Sequence, residues 1–353
     1  MNTYKENNNI EQDELHDYKE IHVDPKQNPV RIDKFLMDRL DRVSRNRVQL
    51  AIRAGAIRVN ENLIKPNYKV RPSDIITAVL PRAPQGSNEV VPQNIPIDVR
   101  YEDDDVLVLY KKPGLVVHPG IGHRKYTLAN ALAYYYRDLP VLNPDNPDRP
   151  GLVHRIDKNT SGLMVVAKNQ YAMDHLSKQF FYHTIERTYN AIVWGEFDDN
   201  EGTIKANVGR DPKDRTTMTT FSEADGQGKW AVTHWKTLER LYYVSLVECK
   251  LETGRTHQIR VHMRSQGHPL FSDMKYGGTR IIKGTVHRRY RAFVEKCMDI
   301  CPRQALHAKS LGFEHPSSGK WMQFDTKLPR DMKNCLSEWR KYVTHKKELM
   351  GRG

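Results

Sequence analysis

Gly151-Leu-Val-His-Arg-Ile-Asp-Lys-Asn-Thr-Ser-Gly-Leu163 is the stretch on which the reading of this chain turns. It sets one acidic residue, Asp157, among His154, Arg155 and Lys158, and an apolar run from Leu163 to Ala167 follows directly. Nearby cations favour the ionised form of a carboxylate, and an ionised carboxylate suits a nucleophile or a base. Thr160-Ser-Gly162 is fitted to tie a loop, because short hydroxyl side chains bond to neighbouring backbone. By chemistry alone, the competing reading is a surface aspartate that happens to lie beside arginines.

Outward from this stretch, short apolar runs alternate with turns. Val106–Tyr110, Leu163–Ala167, Tyr189–Val193, Val232–Trp235 and Val244–Leu251 read as strands, and Thr127–Tyr136 and Gln170–Phe181 as helices. The strands cluster without regular alternation with helices, so the pattern predicts an α+β fold over a doubly wound one. Upstream, Pro81, Pro84, Gly86, Pro92 and Pro96 fall within sixteen residues, which marks a linker. Residues 1 to about 28 are polar and aperiodic and read as a mobile tail.

Composition narrows the function classes. The 353 residues allow about two domains, and 38% hydrophobic with 28% charged residues suits a soluble globular protein. No apolar run approaches the ~20 residues that span a bilayer, and the amino terminus lacks a secretory pattern. Lys plus Arg is 56 against 43 for Asp plus Glu, a net charge of +13, which favours a polyanionic partner. The four cysteines, Cys249, Cys297, Cys301 and Cys335, make no disulfide framework and fit a reducing cytoplasm. Cys297 and Cys301, with His287 and His307, match no common zinc spacing and read as ordinary thiols.

Between tail and linker, Ile32, Phe35, Leu36 and Leu40 give one apolar face of a short helix. Ser44 is placed to cap a second helix that turns Val48, Ala51 and Ile52 inward and stops at Gly55. Arg42, Arg45, Arg47, Arg53 and Arg58 lie on or beside that helix, away from its apolar stripe. Such a face is either merely solvated or contacts phosphates. The run Arg31-Ile-Asp-Lys-Phe-Leu, Ser44-Arg-Asn-Arg and Ala54-Gly-Ala-Ile-Arg-Val-Asn60 resembles the S-four-type RNA-binding domain over about residues 29–95. That resemblance implies a small α/β module presenting Arg45, Arg47 and Arg53 to structured RNA.

The central stretch in turn resembles the His-Arg-Leu-Asp-x-x-Thr-Ser-Gly signature of RluA-type pseudouridine synthases, with Ile156 in place of the leucine. Other blocks stand in the family's order: Lys111-Lys-Pro-Gly-Leu-Val-Val-His118, Glu186-Arg-Thr-Tyr-Asn-Ala-Ile-Val193, Leu251-Glu-Thr-Gly-Arg-Thr-His-Gln-Ile-Arg-Val-His262 and Arg303-Gln-Ala-Leu-His307. An RNA-binding module followed by these blocks is similar to the RluD branch, which modifies large-subunit (23S) ribosomal RNA. The resemblance implies a pseudouridine synthase fold, a mixed and mostly antiparallel sheet flanked by helices and loops. It also implies an isomerase with no metal, nucleotide or other cofactor, since uridine and pseudouridine are isomers.

By the same resemblance Asp157 is the essential carboxylate, attacking the ring or deprotonating the sugar. Arg260 is its partnering cation, with Arg255 as the alternative. Tyr189 receives the base that leaves its stack, and core packing is its competing role. Arg155 helps displace that base, and Ile259 floors the pocket. His257 and His262, read on a strand, fall on opposite faces and are expected to be structural. The basic run from Arg280 to Arg303 is either a solvated face or a phosphate contact. The expected division is a tail over 1–28, the RNA-binding module and linker over 29–95, a catalytic domain over 96–335, and a helical tail over 336–353. The protein is expected to be a cytoplasmic monomer that binds RNA and no membrane. A non-catalytic RNA-binding or ribosome-assembly factor of the same fold is the alternative, and a pure binder has no need of Asp157, Tyr189 and Arg260 together.

Overall fold

The computed structural model describes residues 16–37, 39–40, 43–81, 90–120, 123–136, 138–140 and 150–350. Arg42, residues 1–15 and half of the proline-rich linker (82–89) lie outside the described residues.

The amino-terminal part is built from β1 (His16–His22), β2 (Val30–Arg31), α1 (Ile32–Met37), α2 (Arg45–Arg53), β3 (Ile57–Val59), β4 (Asn62–Leu63), β5 (Lys69–Val70) and β6 (Ile75–Pro81). Both helices are where the apolar spacing puts them. Ser44 caps α2 by accepting from the Arg47 amide at 3.3 Å, and Ile32, Phe35, Leu36, Val48, Ala51 and Ile52 are buried. The expected tail over 1–28 needs correction. β1 pairs antiparallel with β6 along its length, from His16 opposite Pro81 to His22 opposite Ile75, in a sheet ordered β1-β6-β3-β4. An edge strand needs only backbone pairing and one half-buried face, and its polar residues concealed it.

The remainder continues with β7 (Asp98–Glu102), β8 (Val106–Lys111), α3 (Leu128–Tyr135), β9 (Ser161–Ala167), α4 (Gln170–Phe181), β10 (Glu186–Trp194), β11 (Glu201–Arg210) and β12 (Met218–Phe221). It ends with β13 (Lys229–Arg240), β14 (Val244–Leu251), α5 (Gln258–Ser265), α6 (Arg288–Ile300), β15 (Leu306–Glu314), β16 (Trp321–Asp325) and α7 (Arg330–Met350). One sheet carries these strands in the order β12-β11-β13-β14-β10-β15-β9-β8-β7, with β16 added to β15. Its pairs are antiparallel except β9 with β15.

Alternation along the strands sorts side chains to two faces. Leu107, Leu109, Met164 and Val166 pack on one face with Leu128 and Leu132 of α3 and Ile259 and Met263 of α5. Val106, Val108, Leu163 and Val165 face the other way, onto Met173, Leu176 and Phe180 of α4. Because helices cover both faces, every residue of β9 is buried, which is why Leu163 to Ala167 reads as an unbroken apolar run.

Two expectations are corrected here. The boundary between 335 and 336 cuts a continuous helix: α7 buries Met332, Cys335, Leu336, Trp339 and Val343 against α6 and β10, so it is part of the core. Residues 258–265 form a helix, where His257 and His262 were read on a strand.

The amino-terminal part sits against α4. Tyr18 stacks on Phe181 with ring centroids 5.5 Å apart, Lys178 donates to the Ala54 carbonyl at 2.9 Å, and Arg47 forms an ion pair with Asp174.

Candidate active site

The loop that carries Asp157 enters β9 at the one parallel junction of the large sheet. Gly162 adopts φ +127°, and a Cβ there would stand 2.1 Å from the Ala308 carbonyl oxygen, so β9 and β15 can meet only if this residue is glycine. Two buried cations hold the loop by its backbone. Lys111 donates to the carbonyls of Lys112, Leu115 and Lys158 at 3.0, 2.8 and 2.9 Å. Arg303 donates to the carbonyls of Asn159 and Leu306 at 2.8 and 3.0 Å and to the Ser161 hydroxyl at 3.2 Å, and Asp331 pairs with it at 2.7 Å. Burial brings the Lys111 ammonium down to about 7, with the Asp157 charge opposing the shift. His154 fastens the loop's start by accepting from the Val165 amide at 3.0 Å.

The Asp157 side chain keeps 18% of its surface open. Oδ2 accepts from Arg260 Nη1 at 2.9 Å, and Oδ1 lies 3.7 Å from His257 Nε2. Arg260 is locked from behind: Nε and Nη2 donate to Asp273 Oδ2 and Oδ1 at 2.7 and 2.8 Å, and the guanidinium lies 4.7 Å from the centre of the Tyr276 ring. Asp273 is fully buried, and the amides of Lys275 and Tyr276 also donate to it. This bidentate clamp leaves Nη1 directed at Asp157, which is how a planar guanidinium orders two carboxylates at once.

Burial alone would raise the Asp157 carboxyl. Positive charge outweighs it and holds the group below its ordinary value: His257 once protonated, at low pH, and Arg260 and Arg155 throughout. Burial also drives His257 down to about 4, so that ring is neutral near pH 7 and Arg260 is the operative cation. The Met218 amide donates to the Tyr276 oxygen at 3.0 Å, and that oxygen lies 2.6 Å from His257 Nδ1. Tyr276 and His257 are thus joined by a short hydrogen bond, which orients the imidazole with Nε2 toward Asp157.

The structure thus brings Asp157 and Arg260 together. Arg255 instead donates from Nε to the Trp230 carbonyl at 3.1 Å. Tyr189 is buried on β10 between Cys249 of β14 and Ala308 of β15, and burial pushes its phenol up. Ile259 packs in the same cluster as Tyr189 and Ile156. Arg155 is exposed, and its charge helps keep Asp157 ionised.

The amino-terminal arginines divide. Arg53 is exposed, and Arg45 is half-exposed while pairing with Asp33 at 3.0 Å. Arg47, expected to meet phosphate, has its guanidinium engaged bidentately by the buried Asp174 of α4. Of the later basic run, Arg280, Lys283, Arg288, Arg289 and Arg291 are exposed.

Sequence reasoning missed Asp273 and Tyr276, held Lys111 and Arg303 only as members of family blocks, and expected His257 to be structural. A usable signal existed for Asp273. A buried arginine requires a carboxylate, and Asp273 follows the apolar Pro269-Leu-Phe271 just after the arginine's own block.

Residues 105–265 match the family described as RNA pseudouridylate synthase, and residues 30–76 match the S4 domain. The chain is 43% identical to an uncharacterized RNA pseudouridine synthase of Bacillus subtilis, over 91% of this chain and 98% of that one. It is 41% identical to the ribosomal large subunit pseudouridine synthase D of Zymomonas mobilis, over 86% of this chain and 91% of that one. The solved structure of human RNA pseudouridylate synthase domain containing 4 superposes with a TM-score of 0.53 at 23% identity, covering 69% of this chain and 93% of that one. That likeness is one of fold.

Proposed function

From the premise that this chain belongs to the RNA pseudouridine synthase family, and is an isomerase of that kind, we propose that it converts specific uridines of large-subunit ribosomal RNA to pseudouridine, with Asp157 as the essential group. The observation that carries the assignment is the partly open Asp157 carboxylate held by Arg260, itself clamped by Asp273. The isomerisation breaks the bond between N1 and the sugar and joins the sugar to C5, and nothing is gained or lost. Whether the carboxylate adds to the ring or takes a proton from the sugar, it acts ionised. Arg260 supplies that condition in a site where burial works against the charge.

Tyr189 receives the displaced base on its ring, above a floor that includes Ile259. Arg155, exposed beside the carboxylate, takes the place of the base in the stack. Arg45 and Arg53 contact phosphate from the amino-terminal module. The relatives named for large-subunit RNA support the choice of substrate. The chain divides into an RNA-binding module over 29–95, now with β1 added, and a catalytic domain from 96 that takes in α7. The protein works as a cytoplasmic monomer, where ribosomal RNA is processed. Mapping pseudouridine in total RNA from cells with and without the gene tests the proposal. Loss of pseudouridine at one or a few positions of large-subunit RNA is expected, and loss confined to another RNA class would overturn the choice of substrate.

A further inference from the structure

A cavity of about 450 Å³ lies beside the site, at the junction of β11, β12 and β13 with the turn before α5. Phe221 and Met218 supply apolar wall and Arg210 and Lys229 supply cations; Gly209 and Gly228 let the Phe221 ring and the neighbouring strands pack closely, since a Cβ on Gly209 would stand 2.9 Å from the Phe221 ring. None of the lining residues is acidic. An aromatic face beside two or more cations is the chemistry that receives one unstacked nucleotide: the base on the ring, the phosphate on the cations.

The cavity is joined to the active centre by covalent and hydrogen-bonded steps. Thr256 lines the cavity, and the next residue, His257, stands 3.7 Å from Asp157. Met218, also in the wall, donates its amide to Tyr276, which bonds His257 and lies against Arg260. His257 itself is held at φ +59°, in a left-handed turn that a non-glycine residue occupies only when its surroundings impose it.

We propose that this cavity is a second nucleotide subsite: it takes one base flanking the target uridine on the same RNA strand, and so selects which uridine reaches Asp157. The inference rests on the reading of the protein as an RNA-modifying enzyme, and names how that enzyme chooses. Phe221 and Arg210 are then specificity-determining residues, remote from the reacting bond.

The test uses the full chain and a short transcript spanning whichever uridine the mapping identifies, so the subsite is tested even where that RNA is not ribosomal. A series of transcripts carries a single abasic nucleotide at each position flanking that uridine. For the wild-type protein, one abasic position lowers kcat/KM by about 5- to 100-fold, the usual range for a lost base stack. Phe221→Ala lowers kcat/KM on the intact transcript by a similar factor, and the same abasic position then costs it nothing further. Arg210→Ala, which leaves the apolar wall in place, raises KM with little change in kcat and provides a second variant should Phe221→Ala fold poorly. Losses from the abasic position and from Phe221→Ala that multiply at every position, or two variants indistinguishable from wild type, overturn the subsite.

Discussion

Replacing Arg47 with alanine separates two readings of the amino-terminal arginines. Arg47 is 21% exposed and its partner Asp174 fully buried, so the substitution strands a carboxylate with no other cation paired to it among the described residues. Removing one member of a buried pair costs about 3–5 kcal/mol. Asp174 escapes part of that cost, because burial already raises its carboxyl and it can take up a proton in place of staying charged. The expected loss is therefore near the lower bound, about 3 kcal/mol. For a domain of this size that corresponds to a fall in Tm of about 6–12 °C. RNA binding should show a contrasting pattern. Each arginine that neutralises a phosphate contributes ~0.7–0.9 to the slope of log K against log salt. Arg53→Ala, at an exposed position, is expected to flatten the slope by that amount without moving Tm, whereas Arg47→Ala leaves the slope as it was. Melting curves and binding isotherms at several salt concentrations measure both quantities. An Arg47→Ala protein that melts like wild type while its slope flattens would place the guanidinium on RNA and remove the ion pair from the account.

Three further outcomes follow from the same geometry. Asp273→Asn keeps an acceptor for the Tyr276 amide but removes the charge that orients Arg260, so kcat is expected to fall by about 10- to 100-fold, as for the loss of an outer partner at an active site, with RNA affinity kept; unchanged kcat would show that Arg260 needs no clamp. His257, His262 and His307 are each held at about 4 by burial, against 6.5 when unfolded. Below 6.5 the unfolded chain therefore binds more protons, and stability declines steadily from about pH 6.5 to pH 4; urea midpoints that coincide at pH 7 and pH 5 would contradict this. Deleting residues 1–95 uncovers Phe181 and Asp174 on α4, so the remaining domain should melt below the intact chain while single-turnover rates at saturating RNA stay within a few-fold; a rate as low as that of an Asp157 variant would place the module in the active site.

Much of this was legible in the sequence where local and tertiary demands agree. α4 begins and ends at Gln170 and Phe181 as read, because the residues that favour the helix are also those that cover β9. β14 is likewise found at Val244–Leu251. The misreadings arose where one pattern satisfies two structures. Ile259, Val261 and Met263 alternate as in a strand, yet Ile259 and Met263 also lie one helical turn apart, and the left-handed turn at His257 starts the helix. β1 escaped notice because an edge strand gains its stability from pairing more than from apolar content. The motifs identified Asp157 and left two arginines in contention for it. The fold shows that Asp273 holds Arg260 in place; the pair is thirteen residues apart and neither motif contains the aspartate, so the sequence offered only the need of a buried arginine for a nearby carboxylate.

The central claim is that the ionised carboxylate of Asp157 performs the isomerisation. Asp157→Asn tests it most directly, because the amide fills the same space and can still meet Arg260 through its oxygen, but carries no charge and cannot act as base or nucleophile. Turnover on the mapped RNA should fall below the limit of detection while the dissociation constant stays within a few-fold of wild type. Pure Asp157→Asn protein that retains more than a few per cent of wild-type turnover would contradict the account.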